Sequence, residues 1–230
     1  MRCEIKILST LGLMGLLKER IPLFEQQSAA MIVTEFAPTS QMMDRLKNGE
    51  TADVAILTAA GIDDLILAET ILASSRTDLA RSSVGIAVRA HADRPDISTV
   101  PAFKQALLDT PSICYSRTGA SGIFFAGLIE RLEIAPEVNA KATILPTGLT
   151  AEPVARGEAA MAVQQISELM AVPGVDIVGR LPAAIGSVTM FTGGVFASSS
   201  NATMALALLQ FLSAGSTAPA LAAVGLDPPG

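Results

Sequence analysis

Short apolar runs alternate with helically spaced apolar positions along the first part of the chain. Residues 5–8 predict a strand, and Leu13, Leu16, Leu17 and Ile21 then recur at the spacing of one helix face. A second strand over 31–36 leads into a helix from 39 to about 48. A fully apolar strand over 54–57, inside Ala-Asp-Val-Ala-Ile-Leu, precedes a helix opening over 62–67. Strand–helix alternation with short turns predicts right-handed βαβ units and a parallel sheet.

The rhythm changes near residue 80. A long strand over 83–89 is followed by a polar stretch with His91 and Pro95, then a helix start at 99–101 with Pro101 suited to the first turn. Three further strand–helix pairs follow: 112–115 with 121–132, 142–145 with 150–156, and 161–165 with 166–170. Residues 175–178 predict another strand, and 187–197 an extended, glycine-interrupted segment. Asn201 is positioned to cap a helix through 211, and 216–224 resembles a last helix. The two long extended segments bracket a complete block of strand–helix pairs. That pattern fits one lobe of residues 1–83 plus 189–230 and a second of 84–188, with two crossings between them. A single doubly wound sheet with a crevice fits it too.

Composition narrows the function classes. Half of the 230 residues are hydrophobic, 17% are charged and Trp is absent, as in a compact α/β protein. A net charge of −6 without a basic stripe argues against a nucleic-acid partner. It does not argue against a small anion, which backbone N–H groups at helix starts attract whatever the net charge. Cys3 and Cys114 stand far apart in apolar runs and read as buried free thiols, so no metal site is expected. No dinucleotide, phosphate-loop or hydrolase motif occurs, and no cofactor is expected. The N-terminal apolar run is a poor leader: Glu4 spoils the basic start and Lys18-Glu19-Arg20 replaces a cleavage site. No run reaches a membrane span, so membrane insertion is not expected. The expected compartment is the cytoplasm as the sequence stands, or the periplasm for a trimmed mature form.

The candidate chemistry lies where strands hand over to helices, the side on which parallel α/β sheets bind ligands. Four junctions carry hydroxyls or glycines: Ser9-Thr10, Pro38-Thr39-Ser40, Thr118 to Gly122 with Ser121, and Thr147 to Thr150. Each offers helix-start N–H groups and a hydroxyl, and two fall in each expected lobe. Taken singly, each is an ordinary cap; together they predict a small-anion site in a cleft. Arg117 adds a positive charge, against the plain alternative of a surface arginine. Gln164 and Gln165 end an apolar strand and either orient a ligand oxygen or cap the next helix. Tyr115, the sole tyrosine, is a hydroxyl donor or core. His91 reads as solvated, and Asp53 as organising the turn before its strand.

At these residues the chain resembles a known family. Ala-Asp-Val-Ala-Ile-Leu, the stretch SRTDLARSSVGIAVRA, the loop YSRTGASG and the segment VARGEAAMAVQQISELMAVPGVDIVGRLP are similar to the molybdate-transporter-like branch of type II periplasmic binding proteins. The resemblance runs from about Ile5 to the C-terminus. It implies two α/β lobes, two hinge crossings and an interlobe cleft that closes on a ligand. It places Ser9, Thr10, Thr39, Ser40, Ser121 and Gln164 or Gln165 near that cleft, and the junctions read above add Thr118 and Thr150 as candidate ligand-binding residues. Molybdate binders of this branch use neutral donors only, so Arg117 departs from the pattern and suggests a carboxylate. The branch also includes aconitate isomerase. The first reading is therefore a substrate-binding protein for a small carboxylate or tetrahedral oxyanion, with an ABC permease as its transport partner. The second is an isomerase of an unsaturated tricarboxylate, with Tyr115 and Glu152 as the nearest candidate bases. A cytoplasmic anion sensor ranks third.

Overall fold

The computed structural model describes residues 3–230, apart from the side chain of Ser216; Met1 and Arg2, which open the segment weighed as a leader, lie outside that range. The chain folds into two compact units. The first runs to Ser82 and resumes over Thr189–Gly230, and the second is Ser83–Val188.

The first unit begins with β1 (Cys3–Thr10), a short 3-10 turn at Leu11–Leu13 and α1 (Met14–Gln27). It continues through β2 (Ala30–Ala37), α2 (Thr39–Lys47), β3 (Val54–Thr58) and α3 (Ala59–Leu67). β2 and β3 flank β1 in parallel, and the late strand β9 (Val188–Val195) runs antiparallel to β3. Side chains alternate across this sheet with the period of a strand. Ile5, Ile7, Val54 and Ile56 pack beneath Leu13, Leu16 and Leu17, and against Leu208, Leu209 and Leu212 of α9 (Ala202–Ser213). Leu8, Ala55 and Leu57 face the other way, onto Met42 and Leu46 of α2 and onto Ile62 and Leu65 of α3. Both faces are covered, which is why β3 is apolar from Val54 to Leu57.

In the second unit, β4 (Thr77–Arg89) enters from the first and leads to α4 (Val100–Asp109). Then come β5 (Ile113–Ser116), α5 (Ala120–Arg131), α6 (Ala135–Asn139), β6 (Ala142–Leu145), α7 (Ala151–Ala155), β7 (Met161–Gln165), α8 (Ile166–Leu169) and β8 (Val175–Arg180). The strand order is β8-β4-β7-β5-β6. Phe103, Tyr115, Phe125, Leu128 and Val138 fill its core.

Five details depart from the sequence reading. β4 begins at Thr77 rather than 83, because Leu79, Ala80 and Ser82 are buried at alternating and adjacent positions of one long strand. The sheets are mixed: β4 is antiparallel to β7 and β8, and β9 to β3. α6 carries no periodic apolar face long enough to announce it. Asn201 sits at the start of α9 without a side-chain cap; its amide instead donates to the Glu4 carbonyl (3.1 Å) and to Asp53 (3.3 Å). Asp53 does organise its turn, accepting from the Lys6 backbone N–H at 2.9 Å. The segment expected as a helix from 216 is a 3-10 turn at Gly215–Thr217 followed by α10 (Ala218–Ala223). Among the described residues no helix is long and apolar enough to cross a membrane.

Candidate functional site

In the first unit, strand register brings two of the predicted junctions side by side. Thr10 pairs with Ala37, so the end of β1 lies next to Pro38, Thr39 and Ser40 at the start of α2. Ser9 and Thr10 are the last residues of β1 itself rather than of a following loop. Ser9 is buried and donates to the Thr10 carbonyl at 2.9 Å. Thr10 is 2% exposed, and its Oγ1 has no hydrogen-bond partner. Thr39 and Ser40 are half-buried and give α2 no side-chain cap, so its first N–H groups keep their donors. Gly12 keeps the turn after Thr10 tight: a Cβ there would stand 2.2 Å from the Phe191 ring.

The far end of α2 is fixed by charge. Lys6, Glu35, Arg45 and Glu50 form one network, with Lys6 to Glu35 at 2.9 Å and Arg45 to Glu50 at 2.6 Å. Hydrogen bonding to Arg45 leads in holding the Glu50 carboxyl down at about 2, against desolvation and with help from Lys6. The network ties α2 to β1 and β2 and so sets where its N-terminus points.

In the second unit, β5, β6 and β7 are parallel, and their carboxyl ends meet. Here the predicted polar groups bind one another. Thr118 Oγ1 donates to the Pro146 carbonyl at 2.9 Å and lies 3.0 Å from Ser116 Oγ. Gln164 Oε1 accepts from the Thr150 N–H at 2.7 Å and lies 3.0 Å from its hydroxyl, and Gln164 Nε2 donates to the Gly148 carbonyl at 3.3 Å. Gln165 is buried at the start of α8. Ser121 is 3% exposed, in the first turn of α5, and its hydroxyl makes no hydrogen bond. Gly122 beside it is demanded by sterics, since a Cβ would fall 1.6 Å from the Ser116 carbonyl oxygen.

Arg117 is exposed and directs Nε and Nη2 onto the Tyr115 hydroxyl at 3.3 and 3.1 Å. That hydroxyl donates to Asn139 at 2.6 Å, while the Tyr115 ring is buried against Phe125. One edge of the guanidinium is thus engaged and Nη1 is left over. Glu152 is exposed in the first turn of α7. His91 is exposed, Cys114 is a buried free thiol that burial pushes up to about 11, and Cys3 is half-buried rather than buried.

Two features escaped sequence reasoning. Asn139, the partner of Tyr115, had no signal in its surroundings. Glu168 did: Gln165 and Glu168 have the spacing of a capping box, and the Glu168 carboxyl accepts from the Gln165 N–H at 3.4 Å. Burial pushes this carboxyl up to about 7, against the pull of hydrogen bonds from the Gln165 backbone and the Gln164 side chain. A cavity of about 790 Å³ in the same unit lies at the opposite ends of these strands, lined by Arg89, Arg94, Gln105, Ser112 and Met161. It is remote from the junction chemistry and belongs to the other edge of the sheet.

Residues 5–227 match the family model described as bacterial extracellular solute-binding protein. The chain belongs to that family. An aconitate isomerase from a Pseudomonas species is 35% identical to it across 97% of this chain and 87% of its own length. The periplasmic molybdate-binding protein of Azotobacter vinelandii superposes with a TM-score of 0.82 at 15% identity, covering 98% of this chain and all of its own. The sulfate-binding protein of Mycobacterium tuberculosis gives 0.72 at 16% identity, covering 98% and 87%. The fold is accordingly that of the two-lobed type II periplasmic binding proteins. The names of these proteins include two oxyanion binders, of molybdate and of sulfate, and an aconitate isomerase.

Proposed function

We propose that the chain binds a small carboxylate or tetrahedral oxyanion with its strand-end donors, and delivers it to an ABC permease. The observation that carries this reading is Thr10: a buried hydroxyl without a partner, beside the uncommitted start of α2. A buried polar group left unsatisfied costs about 1–3 kcal/mol, which an anion accepting from it would recover. Arg117 favours a carboxylate, because Nη1 can still donate to it while Tyr115 holds the other edge. Thermal shifts with molybdate, sulfate, citrate and trans-aconitate test the reading. A ligand at a hundred times its Kd stabilises by about 2.7 kcal/mol, and Arg117→Ala should lower the carboxylate shifts more than the others. No shift from any of the four probes rejects it.

A second reading, isomerisation of an unsaturated tricarboxylate, is favoured by the full-length similarity to an aconitate isomerase. A base would take a proton from one carbon, the double bond would move, and a proton would return to another carbon, with the donors stabilising the intervening anion. Tyr115 could serve only by giving up the proton it donates to Asn139, with Arg117 beside its hydroxyl. Glu152 is ionisable and exposed, but placed to complement its own helix. Incubation with trans-aconitate in deuterated water, followed by NMR, separates the readings. Conversion or solvent-deuterium uptake that Tyr115→Phe or Glu152→Gln abolishes makes the protein an enzyme, and binding without either leaves a binding protein.

A further inference from the structure

The cavity of about 790 Å³ in the second unit forms where the carboxyl end of β4 meets the amino ends of β5 and β7, with α4 as one wall. Its volume lies within the range of about 300–1,000 Å³ usual for small-molecule sites. The space comes from small side chains: Ala92, Ala102, Ala106, Gly157, Ala159 and Ala160 line it where larger residues would fill it. Val88, Ala106, Ala159 and Met161 are each buried and give it an apolar floor.

Contacts within the chain hold the walls in place. The Ser112 hydroxyl accepts from the Ala160 N–H at 2.9 Å, joining the entries of β5 and β7. Lys141 Nζ donates to the Leu108 and Thr110 carbonyls at 2.5 and 2.6 Å, which fixes the end of α4. The Thr110 hydroxyl donates to the Ser112 carbonyl at 3.1 Å. A ligand entering here has little of the wall left to order.

Most polar groups around the cavity are committed. Arg94 pairs with Asp176 at 3.2 Å, Gln105 donates to Asp109 at 2.8 Å, and Asp96 accepts from the Ser98 N–H at 2.8 Å. Arg89 differs. Its Nη1 lies 3.2 Å from where a Cβ on Gly157 would stand, so the guanidinium is laid over a bare stretch of the cavity wall. Among the described residues that guanidinium has no hydrogen-bond or ion-pair partner.

We infer that this cavity is a second ligand site, for an amphipathic monocarboxylate whose carboxylate pairs with Arg89 and whose apolar body lies on the floor made by Val88 and Met161. A guanidinium fork matches a carboxylate in bidentate fashion. Asp93, Asp96 and Asp109 also line the cavity, and Asp176 offsets Arg94. A second or third carboxylate on the ligand, or a tetrahedral dianion, would therefore be repelled. This charge rule is opposite to that of the strand-end donors, and the inference stands whether or not those donors bind an anion.

Nuclear magnetic resonance of the isotope-labelled full chain, titrated with phenylbutyrate, tests the site. The amide signals of Val88, Ala106 and Met161 should shift saturably, and those of Thr10 and Ser121 should not. The uncharged phenylbutanol should bind about tenfold more weakly or worse, for want of the guanidinium pair. Arg89→Met keeps an apolar stem, removes the charge and should lose about the same factor. Ala102→Leu, at a half-buried position of α4, fills the space with a good helix former and should abolish the shifts. Citrate should leave the cavity signals where they are. The inference is overturned by phenylbutyrate giving no saturable shift at the cavity, by undiminished affinity in Arg89→Met or Ala102→Leu, or by citrate shifting the same signals equally.

Discussion

The two units carry similar junctions but treat their polar groups differently. In the first, Thr10 Oγ1 is buried without a partner and Thr39 and Ser40 leave the start of α2 uncapped. In the second, Thr118, Thr150 and Gln164 are bonded to neighbouring turns, and Ser121 is the predicted hydroxyl that remains free. A hydroxyl at a strand end can thus serve a ligand or the scaffold, and only the hydrogen-bond count tells which. The first unit holds donors in reserve at a cost in stability. The second uses its side chains to build rigid turns and has mainly backbone N–H groups and Ser121 to offer.

The strongest break of this contrast is at the two close-packed glycines. Gly122→Ala sets a Cβ against the Ser116 backbone, which cannot step aside, whereas Gly12→Ala meets the movable Phe191 ring. Urea denaturation should show a loss of about 3 kcal/mol or more for Gly122→Ala, and roughly 1–3 for Gly12→Ala. Equal losses would mean that the second unit's junction is no stiffer than the first.

Two isosteric substitutions sharpen the contrast, because they should change stability in opposite directions. Thr150→Val removes a hydroxyl bonded to Gln164 and the Val163 carbonyl and should destabilise by about 1–2 kcal/mol. Thr10→Val removes an unpartnered one and should stabilise by about 1 kcal/mol, while weakening anion binding tenfold or more. A loss of stability in Thr10→Val would show that its hydroxyl already has a structural role.

The smallest effect is expected at the Lys6–Glu35–Arg45–Glu50 network. Glu50 is held at about 2 by Arg45, below its ordinary value of 4.5, so its contribution is fully present above pH 4.5 and is lost as pH falls through 2. The group is partly exposed, so solvent screening keeps the contribution to about 1 kcal/mol or less. Acid titration of stability should be shallower in Glu50→Gln over that window, and an unchanged acid limb would remove the network from the account of how α2 is held.

The strands and helices that carry the junctions follow from local pattern. β3, β5, β6 and β7 lie within a residue of the runs that predict them; β3, β5 and β7 are buried along nearly their whole length, whereas β6 is an edge strand recognised by its β-branched residues alone. Thr99 and Pro101 mark the start of α4, where the Thr99 side chain accepts from the Ala102 N–H at 3.2 Å. The family resemblance, read from four short segments, reaches the same two-lobed fold that the structural relatives share.

What the sequence by itself determined is therefore the set of elements, the end of the sheet at which polar residues collect, and the family. Those depend on periodicity and on residues close in the chain. Only the tertiary structure decided how each polar group is used. The antiparallel turn of β4 and β9, the grip of Asn139 on Tyr115, the use of Thr150 by Gln164 and the solitude of Thr10 all depend on partners distant in sequence or on burial. Glu168 shows the difference most directly: its capping-box spacing can be read from the sequence, but its neutral-range carboxyl is a product of desolvation, which exists only once the surrounding chain has closed over it.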